Sequence, residues 1–247
     1  MLLKGGQNIH GISIGVLCLE SYYGKIPGHI KNATTFDFPV VYKVVEGATP
    51  EKIVKHGDKT LTDSFIRAAQ ELEKEGVKAI TGSCGFLVLI QREIADAVNV
   101  PVYISSLIQV PLVYRMLKSN QKVGLLVAQK KALTREHLLA VGAADIPVCV
   151  AGMDGKEEFC DVIIDRKRSE LDTEKLQKEV LEVVRNMQTQ YPEMGALVIE
   201  CTDLPPYACR IQDILRVPVF DVITLTNMVH QALIRKEYDG YMPPRLF

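Results

Sequence analysis

Short apolar runs alternate with amphipathic stretches along nearly the whole chain. Residues 11–19 (GISIGVLCL) and 40–45 (VVYKVV) are compact, β-branched runs that predict two strands, joined by a Gly/Pro-bearing loop. Over 62–75 the apolar positions Phe65, Ile66, Ala69 and Leu72 recur at helical spacing, and Gly76 ends that helix. Residues 77–83 and 100–105 predict the third and fourth strands. The pattern then restarts, with strands at 122–128, 147–151, 195–200 and 217–222 and helices at 134–141, 173–190 and 226–237. The tail, 239–247, is expected to be a surface cover. Strands separated by helices predict an α/β fold of parallel sheets flanked by helices.

The restart is a repeat that carries chemistry. The stretch GVKAITGSCGFLVLIQREIADAVNVPVY matches MGALVIECTDLPPYACRIQDILRVPVF. Each copy has an apolar run ending in a cysteine, a helix-like stretch, and Val-Pro-Val followed by an aromatic. Pro101 lies 17 positions after Cys84 (101 − 84), and Pro218 lies 17 after Cys201 (218 − 201). Ala79/Ala196, Ile94/Ile211 and Asp96/Asp213 match at the same offset of 117 (201 − 84). Two pseudo-symmetric halves are expected. The first spans 1–115 and carries Cys84, with 224–247 packed on it; the second spans 116–223 and carries Cys201. They meet near 106–121, where no Ser/Gly-rich linker separates them.

Ligands in such folds bind outside the carboxyl ends of the strands, where both cysteines fall. Backbone N–H groups at a helix start can bind a carboxylate, and the same terminus lowers the pKa of a nearby thiol. Two thiols across one cleft, between the halves, suit two-base proton transfer at carbon.

Composition narrows the alternatives. A formal net charge of −1 argues against a nucleic-acid or anionic-membrane partner. No run is long and apolar enough for a membrane helix, and MLLKGGQNIHG lacks the apolar core of a signal peptide, so a cytoplasmic location is expected. The six cysteines form no CxxC pair and no zinc spacing, predicting reduced thiols and no metal. Cys18, Cys149, Cys160 and Cys209 have no symmetric counterpart and read as structural. Gly11, Gly15 and Gly24 form no phosphate-binding fingerprint.

Gly82-Ser83-Cys84-Gly85-Phe86, Glu200-Cys201-Thr202-Asp203 and Val217-Pro218-Val219-Phe220-Asp221 resemble motifs of the aspartate/glutamate racemase superfamily, which includes hydantoin racemases, arylmalonate decarboxylases and maleate isomerases. The resemblance covers essentially the whole chain. It implies two Rossmann-like halves with the site between them, no cofactor, and Cys84 and Cys201 as the acid/base pair. The chain departs from the pattern where Cys84-Gly85-Phe86 replaces Cys-Asn-Thr, where Glu200 replaces a glycine, and where Glu20-Ser21 follows the first strand. Phe86 is expected to make the site more apolar than an aspartate site.

Ser83, Gly85, Phe86, Thr202, Asp203, Glu20, Ser105 and Ser106 are the candidate substrate-binding residues. Thr202, Ser83, Glu200 and Asp203 read equally as helix caps. His230 reads as structural and His29 as a solvated loop residue. The expected activity is that of an isomerase: a cofactor-independent racemase or epimerase of an amino acid or related small carboxylate. The alternatives are a maleate-type cis-trans isomerase, a decarboxylase, or a non-catalytic small-molecule binder. A homodimer is expected. With no Lys or Arg near either cysteine motif, a neutral or apolar side group is expected on the substrate, unless Lys25 or Lys31 arrives from the first loop.

Overall fold

A computed structural model describes residues 2, 5–7 and 9–240. Among these, the strands β1 (Ile14–Cys18), β2 (Val40–Val44), β3 (Ala79–Gly82) and β4 (Val102–Tyr103) form one parallel sheet in the order β2-β1-β3-β4. β5 (Lys122–Val127), β6 (Val148–Gly152), β7 (Met194–Ile199) and β8 (Val219–Phe220) form a second in the order β6-β5-β7-β8. The flanking helices are α1 (Thr62–Lys74), α2 (Gln91–Asp96), α3 (Val110–Arg115), α4 (Arg135–Ala140), α5 (Thr173–Gln190), α6 (Ala208–Leu215) and α7 (Val222–Leu233). The α/β class and the parallel sheets expected from the alternation are present.

The sequence repeat is carried into the hydrogen-bond register. Ile80 pairs with Val102 and Leu197 with Val219, so both partners shift by 117 (197 − 80, 219 − 102). β1, β3 and β7 are buried along their whole length, the signature of strands covered on both faces. Helix α1 turns Phe65, Ala68, Ala69 and Leu72 inward, and Gly76, at φ +92°, ends it in the left-handed region glycine tolerates.

The largest apolar cluster crosses from one sheet to the other, joining Leu17, Ile80 and Ile104 to Leu126, Leu197 and Ile199. It also takes in both Cys84 and Cys201. The last helix lies against the first sheet: Val222 and Leu225 pack with Ile14, Val16 and Ala79, and Ser13 Oγ lies 2.8 Å from His230 Nδ1.

Several elements differ from the sequence expectation. Helix α7 spans Val222–Leu233 rather than 226–237, because Asp221 caps it: its carboxylate accepts from the Thr224 N–H while the Thr224 hydroxyl accepts from the Asp221 N–H. The segment 106–115 is a 3-10 turn, Ser106–Gln109, running into α3, and one-turn π-helices occupy Glu51–Lys55 and Phe159–Ile164. These pieces are too short to show an amphipathic period. Residues 241–247 of the expected surface tail lie outside the described residues. Among the described residues no helix is long and apolar enough to cross a membrane.

Candidate active site

The two cysteine motifs leave adjacent strand ends and touch. β3 ends at Gly82, and Cys84 stays extended (φ −157°, ψ 124°) before the 3-10 turn Gly85–Ile90. β7 ends at Ile199, and Glu200, Cys201 and Thr202 follow before the 3-10 turn Pro205–Tyr207. The Thr202 hydroxyl donates to the Ser83 carbonyl at 2.6 Å, tying one motif to the other. Ser83 Oγ accepts from the Leu19 N–H at 2.9 Å, which adds the end of β1. Both thiols are free, buried, and line one cleft. Ser83, Gly85, Thr202 and Asp203 line it with them.

Four candidate residues fall outside that lining. Phe86 turns from the cleft and packs edge-on against the His137 ring, 4.8 Å between centroids. Glu20 is taken by the Gly47 N–H at 2.8 Å and the Tyr22 hydroxyl at 2.6 Å. Ser105 caps its own turn through the Leu107 N–H, and the Ser106 hydroxyl donates to the Ile199 carbonyl at 2.6 Å. In each case a neighbouring backbone or side-chain group holds the side chain.

The first loop supplies Lys31, the cation the sequence allowed for, and two residues that sequence reasoning did not place at the site, Tyr23 and His29. Tyr23 donates its hydroxyl to Asp203 Oδ1, and His29 Nε2 lies 3.0 Å from the same oxygen. The Lys31 N–H donates to His29 Nδ1 at 2.8 Å, so the ring proton sits on Nε2 and His29 donates to Asp203. His29 is only 4% exposed, not the solvated loop residue expected. Lys31 also lines the cleft; its ammonium donates to the Leu19 carbonyl and to Ser21 Oγ, both at 2.7 Å. That leaves one of its three N–H bonds free. A cation therefore reaches the site from a distant loop. Ile163 and Ile164, from the π-helical turn, and Pro50 and Val54 complete apolar walls. The signal for this loop was its place, directly after the carboxyl end of β1, rather than any motif.

Gly28 locks the loop down. It sits at φ +97°, and an added Cβ would stand 2.9 Å from Pro206 Cα. Gly28→Ala is therefore expected to cost about 1–2 kcal/mol in backbone strain alone. That corresponds to a melting temperature lowered by roughly 2–8 °C, checked by thermal unfolding.

The electrostatics reverse one expectation. Burial pushes the Cys84 thiol up, and Glu200 adds to the rise. Burial likewise drives Cys201 well above the ordinary thiol range, followed by Asp203 and Glu200. The helix starts do not lower either thiol, because loss of solvent outweighs the few N–H groups nearby. Burial also opposes charge on Asp203, yet the bonds from His29 and Tyr23 hold its carboxyl below the usual range. Burial raises Glu200 to about 8, outweighing the backbone N–H groups of Ala128 and Phe86. Burial lowers Lys31 against the pull of Cys18 and Asp203.

The two thiols are not equivalent. Cys201 donates its S–H to Asp203 Oδ2 at 3.6 Å, and no such carboxylate contact is made by Cys84 among the described residues. No group of three or more His, Cys, Asp or Glu side chains among these residues is arranged to hold a metal ion.

No family model matches the chain. It is 29% identical over 240 residues to a dimethylsulfoniopropionate lyase of Durusdinium sp. clade D, covering 92% of this chain and 77% of that one. It is 30% identical over 240 residues to dimethylsulfoniopropionate lyase 3 of Emiliania huxleyi, covering 90% of this chain and 60% of that one. The chain thus spans between three-fifths and about three-quarters of these two relatives. Relatives named as lyases overturn the expectation of an isomerase. Among solved structures, unliganded arylmalonate decarboxylase matches at a TM-score of 0.57 and 14% identity, over 93% of this chain and 97% of that one. Aspartate racemase of Picrophilus torridus matches at 0.56 and 13%, over 92% and 96%. Glutamate racemase of Bacillus anthracis matches at 0.55 and 14%, over 90% and 81%. The chain has the racemase-like fold of these structures, with sequence relatives that are lyases.

Proposed function

We propose that this chain is a cofactor-independent lyase that removes a sulfide from a small β-sulfonio carboxylate, with dimethylsulfoniopropionate as the substrate to test first. The observation that carries the reading is the inequality of the two thiols: Cys201 is hydrogen-bonded to an ionised carboxylate, and Cys84 is not. Reversible proton traffic from two faces asks for two matched acid/base groups. An elimination asks for one base, because a sulfide leaves as a neutral molecule and needs no proton.

The step balances simply. The Cα–H proton passes to the Cys201 sulfur, the Cα–H electron pair becomes the Cα=Cβ bond, and the Cβ–S bond breaks with its pair going to sulfur. Dimethyl sulfide and acrylate leave, and one proton stays on the enzyme. The proton resident on Cys201 must move first, and Asp203 Oδ2 is the acceptor already bonded to it. The fold raises the thiol and lowers the carboxyl, so this transfer is uphill until the substrate's positive charge stabilises the thiolate. Burial works against the thiolate; a sulfonium arriving in the cleft offsets that cost with positive charge. Charge that builds on the substrate carboxylate as the α-proton leaves is met by the free N–H of Lys31. Pro50, Val54, Ile163 and Ile164 exclude water, which strengthens each of these interactions. The sequence relatives named as dimethylsulfoniopropionate lyases support the same reaction class.

The test is direct. The purified chain is incubated with dimethylsulfoniopropionate, with headspace gas chromatography for dimethyl sulfide and proton NMR for acrylate. Equimolar release of both is expected. Release of neither, at enzyme concentrations where a single turnover is detectable, overturns the reading.

A further inference from the structure

Glu200 is an acid of the cleft that neither the proton transfer nor the carboxylate anchor uses. It is 1% exposed and lines the cleft with both cysteines. Its Oε2 accepts from the Ala128 N–H at 3.1 Å. Its Oε1 is buried with no hydrogen-bond partner. Position 85 is glycine, and any side chain there would run into Oε1. Room is thus kept for this oxygen beside Cys84.

A buried carboxylate with a bare oxygen is costly, so a purely structural role is a poor account of it. The Ala128 bond needs only a carbonyl-type acceptor, which a glutamine would supply without the charge. Asp203 differs: Oδ1 accepts from Tyr23 and His29, and Oδ2 from Cys201. Among the acids lining the cleft, Glu200 keeps an oxygen to offer.

We propose that Glu200 is the specificity residue for the positively charged head of the substrate, with its Oε1 facing the onium group. This rests on the proposed reading that the substrate is a zwitterion with an onium group two carbons from its carboxylate. Lys31 answers the carboxylate and Glu200 the onium, so the cleft matches both charges of one small molecule. An onium carries no N–H or O–H to donate. It needs a negative charge beside its methyl groups, and the Glu200 carboxylate supplies one in the cleft lining. Burial raises Glu200 to about 8, and a cation placed beside it favours the ionised form against that burial.

The experiment uses two unreactive isosteres, 3-(trimethylammonio)propionate and 4,4-dimethylpentanoate, which share shape and carboxylate and differ in one positive charge. Binding of each to the full chain is measured by titration calorimetry. The wild type is expected to bind the cation about tenfold or more tightly than the neutral compound. In Glu200→Gln, which keeps the Ala128 acceptor, the ratio falls to about one. If that variant does not fold, Glu200→Asp takes its place and an intermediate ratio is expected. A wild-type ratio near one, or a ratio that either folded variant leaves unchanged, overturns the proposal. The lyase reading is judged separately. If dimethylsulfoniopropionate is not cleaved but the ratio collapses in the variant, that reading fails and Glu200 remains a cation selector. If it is cleaved and the ratio is unaffected, only the role of Glu200 fails.

Discussion

Cys201→Ser is expected to lower kcat for dimethyl sulfide release by about 10³-fold, within the usual range for loss of a general base. Cys84→Ser is expected to lose at least roughly tenfold less on the same scale. The inequality follows from geometry. Cys201 can pass its proton to Asp203 at 3.6 Å, whereas Cys84 neighbours the Glu200 carboxylate with no bond to it. A serine hydroxyl at 201 is too weak an acid to form the base at neutral pH. At 84 a hydroxyl keeps the wall nearly the same size. Turnover is read by headspace gas chromatography, with circular dichroism to check that each variant is folded. Equal loss in both variants, or the larger loss at Cys84, would mean that the proton is taken from the other face.

Glu200→Gln is expected to make the folded protein more stable above pH 8 while impairing binding. A carboxyl whose folded pKa is raised destabilises the fold wherever the unfolded chain ionises it first. Below its ordinary value of 4.5, Glu200 is protonated in both states and has no effect. Between 4.5 and about 8, stability falls as pH rises, because only the unfolded state releases the proton. Above about 8 the loss is complete. At about 1.4 kcal/mol for each pH unit between the two values, it is on the order of 5 kcal/mol. The glutamine NH2 lacks an acceptor where Oε1 sits, which returns about 1–3 kcal/mol of that gain. A net gain of about 2–4 kcal/mol remains, seen as a melting temperature raised by roughly 4–16 °C. Near pH 4.5 the gain disappears and the amide penalty leaves the variant slightly less stable. Denaturant unfolding at pH 5 and pH 8.5 reads the difference. A variant no more stable at the higher pH would show that Glu200 is comfortably ionised in the fold.

The opposite behaviour belongs to Asp203. Its folded pKa is depressed, so its contribution is present above the ordinary carboxylate value and is lost as pH falls through the folded one. The first loop, held by His29 and Tyr23 on Asp203, should therefore loosen in acid.

The sequence alone determined the two-part architecture. Strand-length apolar runs and the 117-residue repeat specify paired parallel sheets, because the alternation of buried runs and amphipathic helices is local and survives in any orientation of the halves. The repeat likewise brought Cys84 and Cys201 to equivalent strand ends, and both line one cleft. Only the tertiary structure decided what surrounds them. Tyr23, His29 and Lys31 lie far from either cysteine motif in the chain and carry no motif of their own; folding of a Gly/Pro-rich loop across the cleft brings them in. Ser105, Ser106, Glu20 and Phe86 sit at plausible strand ends but are claimed by nearer partners. The direction in which the thiol pKa values move also escapes the sequence. A helix start can be read from residues, but desolvation depends on how many distant groups close over the sulfur, and here desolvation is the larger effect.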